Sequence, residues 1–522
     1  MRNISFNNKT TYVNVIGKGS QGIVEKYTLN SDNSLVAIKK YFPNNQGDID
    51  AATLRELNIF QKLKNCPTIN QSLDIDIIIN KKAIDLSIMM PFHQYNLLNI
   101  AETFTTSQKI NQLPLIMNQI FNALYNLYYI GVIHTDVKPD NILVDIIDNK
   151  FKLYLADFGL AVQLPCEFSY RYVKNPLHGS PLYMAPEILT QNVYYNEKVD
   201  VWSAGITILE YITGNYITEP SDEQFIQAND VSFVAIIYKI FELIKNPLYP
   251  TKELYNQVKD GKFHDYIDVD LLLNISLDVD LYQKIPQSII SALTAMLQVN
   301  PIDRIHIKDL YNGNLCPSDT IISRGELIAD TSVTVNDYYK VIFMLIKTCD
   351  NLTVNPITCY LTIDLLERYL ANFPLKSDTI LKKLSLYAAS LLILNMKLYE
   401  SIEVEFDTIV YEFNNLFTQN ELMFTQLFVL KKFNYLLTAC ETDEFLHAIN
   451  EATRKDLKIY NFQPVLKGVH MKGDLLEELK VSIINNKMIY PRLLLMYRNI
   501  QYKNLYPGDM FNFELVEYFG EI

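Results

Sequence analysis

The densest chemistry in the sequence lies between Gly131 and Gly159, in GVIHTDVKPDNILVDIIDNKFKLYLADFG. Asp136 is followed closely by Lys138 and Asn141 in one tight loop, and Asp157 then precedes Phe158 and Gly159. The set offers a carboxylate that accepts a hydrogen bond, a cation that offsets negative charge, and two oxygen-bearing side chains suited to a hard divalent cation. Those parts suit phosphoryl transfer, where positioning and charge neutralisation count for more than covalent chemistry.

Such groups need a scaffold, and the chain upstream supplies one. TYVNVIG, GIVEKYTL and LVAIKKYF alternate and are split by Gly, Asn, Asp and Ser turns, which predicts a β-meander. Between the first two strands, Gly17, Gly19, Gly22 and Val24 spell G-x-G-x-x-G-x-V, a hairpin whose glycines let backbone close over phosphates where a Cβ would intrude. Lys39 ends Val36-Ala37-Ile38-Lys39 on the third strand. The spacing of Leu54, Leu57, Ile59, Phe60 and Leu63 predicts a helix over 48–64 that carries Glu56, with acidic residues near its start as the helix dipole prefers. Residues 83–98 read as a strand passing into a polar segment, and 108–129 as a helix delivering the chain to the Asp136 loop.

The ensemble resembles a eukaryotic-type serine/threonine protein kinase, closest to the cyclin-dependent kinases. The loop is similar to H-R-D-x-K-x-x-N, and Asp157-Phe158-Gly159 matches D-F-G. The resemblance implies an α+β, bilobal fold over residues 11–311, with a β-rich N-lobe to about residue 92 and a helical C-lobe from about residue 93. It implies ATP and Mg²⁺ as cofactors and protein substrates as partners. Asp136 would accept the hydrogen bond of the substrate hydroxyl, Lys138 would offset charge on the transferring group, and Asn141 and Asp157 would hold metal. Lys39 would reach the phosphates and pair with Glu56. Gly17, Gly19 and Gly22 would cover the nucleotide, while Val24, Ala37 and Leu143 would enclose adenine. Met89 would be the gatekeeper and Met90 to Phe92 the hinge backbone. Ala52-Thr53-Leu54-Arg55-Glu56-Leu57 resembles the helix on which a cyclin docks.

Lys138 within HTDVKPDN favours serine/threonine over tyrosine substrates, and Ser180 stands where such kinases use a hydroxyl to bond the catalytic aspartate and lysine. Glu187 would pair with Arg304, and Asp200 with Trp202 resembles the helix beneath the catalytic loop. One departure is Thr135 at the usual arginine position. Arginine there grips a phosphate on the activation loop in many kinases. The position of the activating threonine falls near Asn175, which carries no phosphate, so both halves of that switch are missing. Activity independent of activation-loop phosphorylation follows as an expectation, and proline-directed specificity is not inherited. The segment 231–250, VSFVAIIYKIFELIKNPLYP, resembles a late C-lobe insertion of cyclin-dependent kinases.

Residues 312–332 carry turn signals and read as a linker. Helical periodicity then predicts helices over 335–349, 356–371, 378–398, 404–417 and 420–439, with no fixed-period repeat. By periodicity alone this is a small helical domain. TCYLTIDLLERYL over 358–370 is similar to the cyclin-box T-x-x-x-A-x-x-x-x-D-R-[FY]-L, with Glu367 for aspartate, and Met396-Lys397-Leu398-Tyr399-Glu400 resembles S-K-[YF]-E-E. The resemblance implies an all-α cyclin-box-like domain over 333–449. It also implies docking in cis on the helix containing Glu56 through Lys397, with Gln426 at the position of a second, acidic contact. A linker of about 20 residues would give a millimolar effective concentration. Residues 450–522 read as a Tyr-rich extension of uncertain fold.

Composition bounds the alternatives. A chain of 522 residues, 49% hydrophobic, can bury large cores. Its formal charge of −13 disfavours nonspecific nucleic-acid or anionic-membrane binding, and neither is expected as a partner. Six scattered cysteines form no C-x-x-C pair, which fits a reducing intracellular setting, cytoplasmic or nuclear. The start has no signal-peptide core, and no run approaches the roughly 18 to 20 apolar residues of a membrane span. Heavy use of Ile, Asn, Lys and Tyr points to an AT-rich genome, such as that of a large DNA virus or a protist parasite. Two rival readings stay open: a scaffold pseudokinase, and a kinase whose helical half is an unrelated substrate-recruiting adaptor.

Overall fold

The computed structural model describes residues 6, 9–19, 21–79, 83–164, 171–172, 179–190, 194–220, 233–244, 251–311, 313, 333, 335–373, 375, 379–400 and 404–437. Asn175, residues 450–522 and all of the 312–332 linker except Gly313 lie outside the described residues, as do parts of 231–250. The chain divides into two compact units: Met1–Ile322 with Lys397–Glu405 and Leu427–Cys440, and Ser323–Met396 with Phe406–Gln426 and Glu441–Ile522. Among the described residues no helix is long and apolar enough to cross a membrane.

The first unit opens with a five-stranded antiparallel sheet built from β1 (Thr10–Lys18), β2 (Gly22–Leu29), β3 (Leu35–Tyr41), β4 (Asp74–Ile79) and β5 (Ile84–Pro91), in the order β1-β2-β3-β5-β4. The meander read from the alternation is present. Val36 and Ile38 on β3 are buried with Tyr27 and Met89, so one face of the sheet carries a dense apolar layer.

Helix α1 (Ala51–Lys62) interrupts the strands between β3 and β4. It starts later than the periodicity predicts, because Asp50 is its N-cap: the carboxylate accepts from the Ala52 N–H, satisfying one of the otherwise open donors of the first turn. The first turn itself holds no acidic residue, so the expected dipole contribution reduces to this cap. Leu54, Leu57, Ile59 and Phe60 are each no more than 1% exposed.

Past β5 the unit becomes helical. Helix α2 (Leu97–Thr103) and the long α3 (Thr106–Tyr129) both begin with capping boxes, Asn96 with Asn99 and Thr105 with Gln108. Short strand β6 (Tyr95–Asn96) pairs with β8 (Ile142–Ile147), which pairs with β9 (Lys150–Leu155), while β7 (Val132–Ile133) pairs with β10 (Val162–Gln163). These small sheets pin both ends of the loop that carries Asp136. Helix α4 (Pro186–Leu189) follows, then α5 (Lys198–Thr213), whose Trp202 is fully buried.

In the second unit, the helix Val335–Asn351 buries Val341, Ile342, Leu345, Ile346 and Cys349, one face of a helical period. Within Pro356–Asn372, Asp364 pairs with Arg368 at 2.7 Å, and Glu367 accepts a 2.6 Å hydrogen bond from the Tyr338 hydroxyl. The helix Ile380–Tyr399, which belongs to this unit as far as Met396, is buried on every face from Ala388 to Met396, as expected of a helix enclosed by others. Its Asn395 donates to Thr362 Oγ1 at 3.1 Å. The helix Phe406–Glu412 and the helix Gln419–Lys432, of which only the part up to Gln426 belongs to this unit, complete the five that the sequence predicts for this half of the chain.

Candidate active site

Lys39 lies on β3 directly opposite Val24, which in turn lies opposite Gly17. Its Nζ reaches Glu56 Oε2 at 2.7 Å and Asp157 Oδ1 at 3.1 Å, so three residues far apart in the chain converge on one ammonium. Burial works against charge on Lys39, but the two carboxylates outweigh it and hold its pKa above the ordinary value. For Asp157, burial raises the pKa, and Lys39 with the Gly159 N–H more than offsets this, keeping the carboxylate ionised.

The aspartate of the loop is held from three sides. Asp136 Oδ1 accepts from the Ser180 N–H at 2.8 Å. Its Oδ2 accepts from Asn141 Nδ2 and lies 2.9 Å from Lys138 Nζ. Lys138 also donates to Ser180 Oγ at 2.7 Å. The sequence placed the Ser180 hydroxyl on both the aspartate and the lysine. In the structure the hydroxyl serves only the lysine of these two, and the main-chain N–H serves the aspartate.

Beneath the loop, the Asp200 carboxylate accepts from the N–H groups of His134 at 2.6 Å and Thr135 at 2.8 Å. Burial raises the Asp200 pKa to about 7 against the opposing effect of these two donors. His134 is itself fully buried, and that burial lowers its pKa. It donates from Nε2 to the Ala156 carbonyl and accepts the Asp136 N–H at Nδ1, which fixes one neutral tautomer. Phe158, fully buried, stands edge-on to both Phe60 of α1 and His134. Glu187 and Arg304 form the expected pair through the two terminal guanidinium nitrogens, Nη1 and Nη2, at 2.8 and 3.0 Å, and Arg304 lies 5.1 Å from the Trp202 ring.

Of the residues that the resemblance assigns to the adenine and hinge, Ala37 is buried opposite Met90, Met89 is buried on β5, and Leu143 is half-buried on β8. Phe92 is half-buried under Lys26, whose Nζ lies 4.0 Å from the ring centroid. Gly22 has no room for a side chain, since a Cβ would lie 2.1 Å from the Lys40 carbonyl oxygen, whereas Gly19 faces open space.

The family model for the protein kinase domain matches residues 10–315, more than half of the chain. The chain belongs to the protein kinase family. The model for the cyclin N-terminal domain matches residues 322–438. A probable cyclin-dependent serine/threonine-protein kinase of Dictyostelium discoideum is 27% identical over 227 residues, 42% of this chain and 33% of that protein. The serine/threonine-protein kinase ste20 of Aspergillus fumigatus is 32% identical over 209 residues, 40% of this chain and 24% of that one. Cyclin-dependent kinase-like 2 of Mus musculus is 25% identical over 316 residues, 59% of this chain and 51% of its own. The chain therefore spans between about a quarter and about a half of the length of these relatives.

Within the kinase domain the donor set fits a nucleotide-bound divalent cation. Asn141 spends its amide nitrogen on Asp136, which leaves its oxygen for a metal, and Asp157 keeps a second oxygen beside the one that meets Lys39. Two hard oxygens suit Mg²⁺, which takes one or two protein ligands and completes its shell with phosphate and water. Among the described residues no group of three or more His, Cys, Asp or Glu forms a separate metal cluster.

Two contributors escaped the sequence. Asp48 and Lys397, both in the first compact unit, form a buried ion pair. Arg55 donates through Nη1 to the Lys397 carbonyl at 3.2 Å and through Nη2 to the Gly159 carbonyl at 3.1 Å. In the same unit Gln46 donates to the Val404 carbonyl, and the Leu437 N–H donates to Asn58 Oδ1. The proximity of Arg55 to Glu56 was the available signal for the arginine. Nothing local marks Asp48.

Proposed function

We propose that the protein is an ATP-dependent serine/threonine protein kinase of the cyclin-dependent type, active without a phosphate on its activation loop. The observation that carries the reading is the simultaneous contact of Lys39 with Glu56 and Asp157, the arrangement in which phosphate-binding and metal-holding groups face one site. Asp136, fixed by Ser180, Lys138 and Asn141, would orient the substrate hydroxyl and accept its hydrogen bond. Lys138, beside Asp136, would offset charge on the transferring group. A Mg²⁺ ion held by Asn141 and Asp157 would supply charge neutralisation at the phosphate oxygens. The Lys138–Ser180 contact supports a serine/threonine substrate, since it accompanies the lysine-bearing loop pattern.

The second part of the proposal is activation in cis. Lys397, in the motif resembling S-K-[YF]-E-E, pairs with Asp48 ahead of α1, and residues 404 and 437 meet Gln46 and Asn58. These contacts support a role for the 397–405 and 427–437 segments in keeping Glu56 against Lys39.

The test is transfer of phosphate from Mg²⁺-ATP to a generic protein substrate by the full chain, with Asp136→Asn and Asp157→Asn as controls. Proton-acceptor and metal-ligand losses should each lower kcat by about 10²-fold or more. Retained activity in both variants would remove the catalytic reading. Phosphatase treatment should leave activity unchanged; a large loss would remove phosphate independence. Cis activation is better tested by substitution at Lys397 than by truncation, because 397–405 and 427–440 cluster with the first unit.

A further inference from the structure

The chain just after Asp157 is held by two donors on consecutive carbonyls. Arg55 Nη2 reaches the Gly159 oxygen at 3.1 Å from the α1 side. Thr135 Oγ1 reaches the Leu160 oxygen at 2.8 Å from the catalytic loop. Thr135 has its own N–H on Asp200, is only 8% exposed, and sits at φ +65°. Asp157 sits at φ +62°. A β-branched residue at positive φ is strained, and such conformations persist only where surrounding contacts over-determine them. Here those contacts converge on one short segment, because Gly159 and Leu160 are the two central residues of the turn closed by the Ala161 N–H on the Phe158 carbonyl at 3.0 Å.

We propose that Thr135 and Arg55 are positioning residues that clamp the Leu160 and Gly159 carbonyls and so aim the Asp157 carboxylate. Both donors come from side chains of the protein and both acceptors are main-chain oxygens, so the clamp requires no anion on the activation segment. Lys39 then orients the carboxylate of Asp157 while the clamp fixes the backbone that carries it. Through its second bond, to the Lys397 carbonyl, Arg55 makes the clamp responsive to the segment that begins there. The inference rests on the kinase reading for its consequence in catalysis, but its geometry is independent of whether 397–405 activates the enzyme.

The decisive variants in the full chain are Thr135→Val, which keeps the volume, the β-branch and the strain but removes the O–H, and Thr135→Ser, which keeps the O–H. Two readouts are taken: hydrogen exchange at the amides of residues 158–161 without nucleotide, and the Mg²⁺ concentration giving half-maximal activity at saturating ATP. Thr135→Val should speed the exchange and raise the Mg²⁺ requirement at least about fivefold, equivalent to about 1 kcal/mol less favourable metal engagement. Thr135→Ser should stay near the parent in both. Arg55→Met provides a second variant, with the same direction expected, should the valine protein fail to fold. Unchanged exchange and Mg²⁺ dependence in a folded Thr135→Val or Arg55→Met protein, or a serine variant as impaired as the valine one, overturns the clamp. If the parent transfers no phosphate at all, the kinase reading fails while the exchange measurement still decides the clamp.

Discussion

Asp48 and Lys397 form an ion pair whose side chains are 1% and 7% exposed, although 349 positions separate them in the chain. Breaking a buried pair from one side leaves an uncompensated charge, at about 3–5 kcal/mol. Lys397→Met should therefore loosen the approach to α1 and lower kinase activity at least about tenfold, equivalent to about 1.4 kcal/mol. Adding Asp48→Asn should recover part of the loss. A single variant with parental activity, or a double variant worse than the single, counts against coupling through this pair.

The glycine-rich hairpin separates folding from binding. At Gly22 an added Cβ meets the Lys40 carbonyl at 2.1 Å, so Gly22→Ala should destabilise the protein by about 1–3 kcal/mol in chemical denaturation. At Gly19 there is nothing within 4 Å, so Gly19→Ala should leave the denaturation midpoint alone and raise KM for ATP. Equal stability effects at the two positions would contradict this division.

Glu210 predicts a pH dependence. Burial, followed by Asp140 and Glu219, raises its pKa from 4.5 to about 7 against the lowering effect of the Tyr183 hydroxyl. The folded protein keeps this proton up to about pH 7, while the unfolded chain releases it from about pH 4.5. The stability contribution is thus present below the unfolded value and is lost as pH rises through the folded one. Glu210→Gln should flatten the fall in melting temperature across that window; an unchanged slope would assign the dependence to other groups.

Arg304 is fully enclosed, with its guanidinium on Glu187 and on the carbonyls of Lys198, Gln298 and Val299. Arg304→Met should lose about 3–5 kcal/mol of stability because Glu187 is left buried without its partner. Glu187→Leu combined with it should be more stable than the single variant by denaturation midpoint.

Much of this is legible in the sequence itself. Strand alternation, the glycine spacing and the Lys39, Glu56, Asp136 and Asp157 positions are local patterns, and local patterns survive in sequence. Arg55 and Asp48 were not legible as contacts, because their partners lie 104 and 349 residues away and no periodicity links them. The acidic start of α1 misled for a related reason: Asp50 is consumed as a cap and Asp48 by a distant lysine. Ser180 was found by motif, yet which of its atoms faces Asp136 depended on the path of the backbone, which residue type does not record.

The burial of Phe158 between Phe60 and His134 has a consequence in time. A small molecule that needs the space under this ring can enter only after the ring has left two edge-on neighbours and a site with no solvent exposure. Association gated by such a rearrangement falls below the usual 10⁵–10⁷ M⁻¹s⁻¹ or so. Compounds of that kind should show delayed onset in progress curves, and those that bind without displacing Phe158 should not.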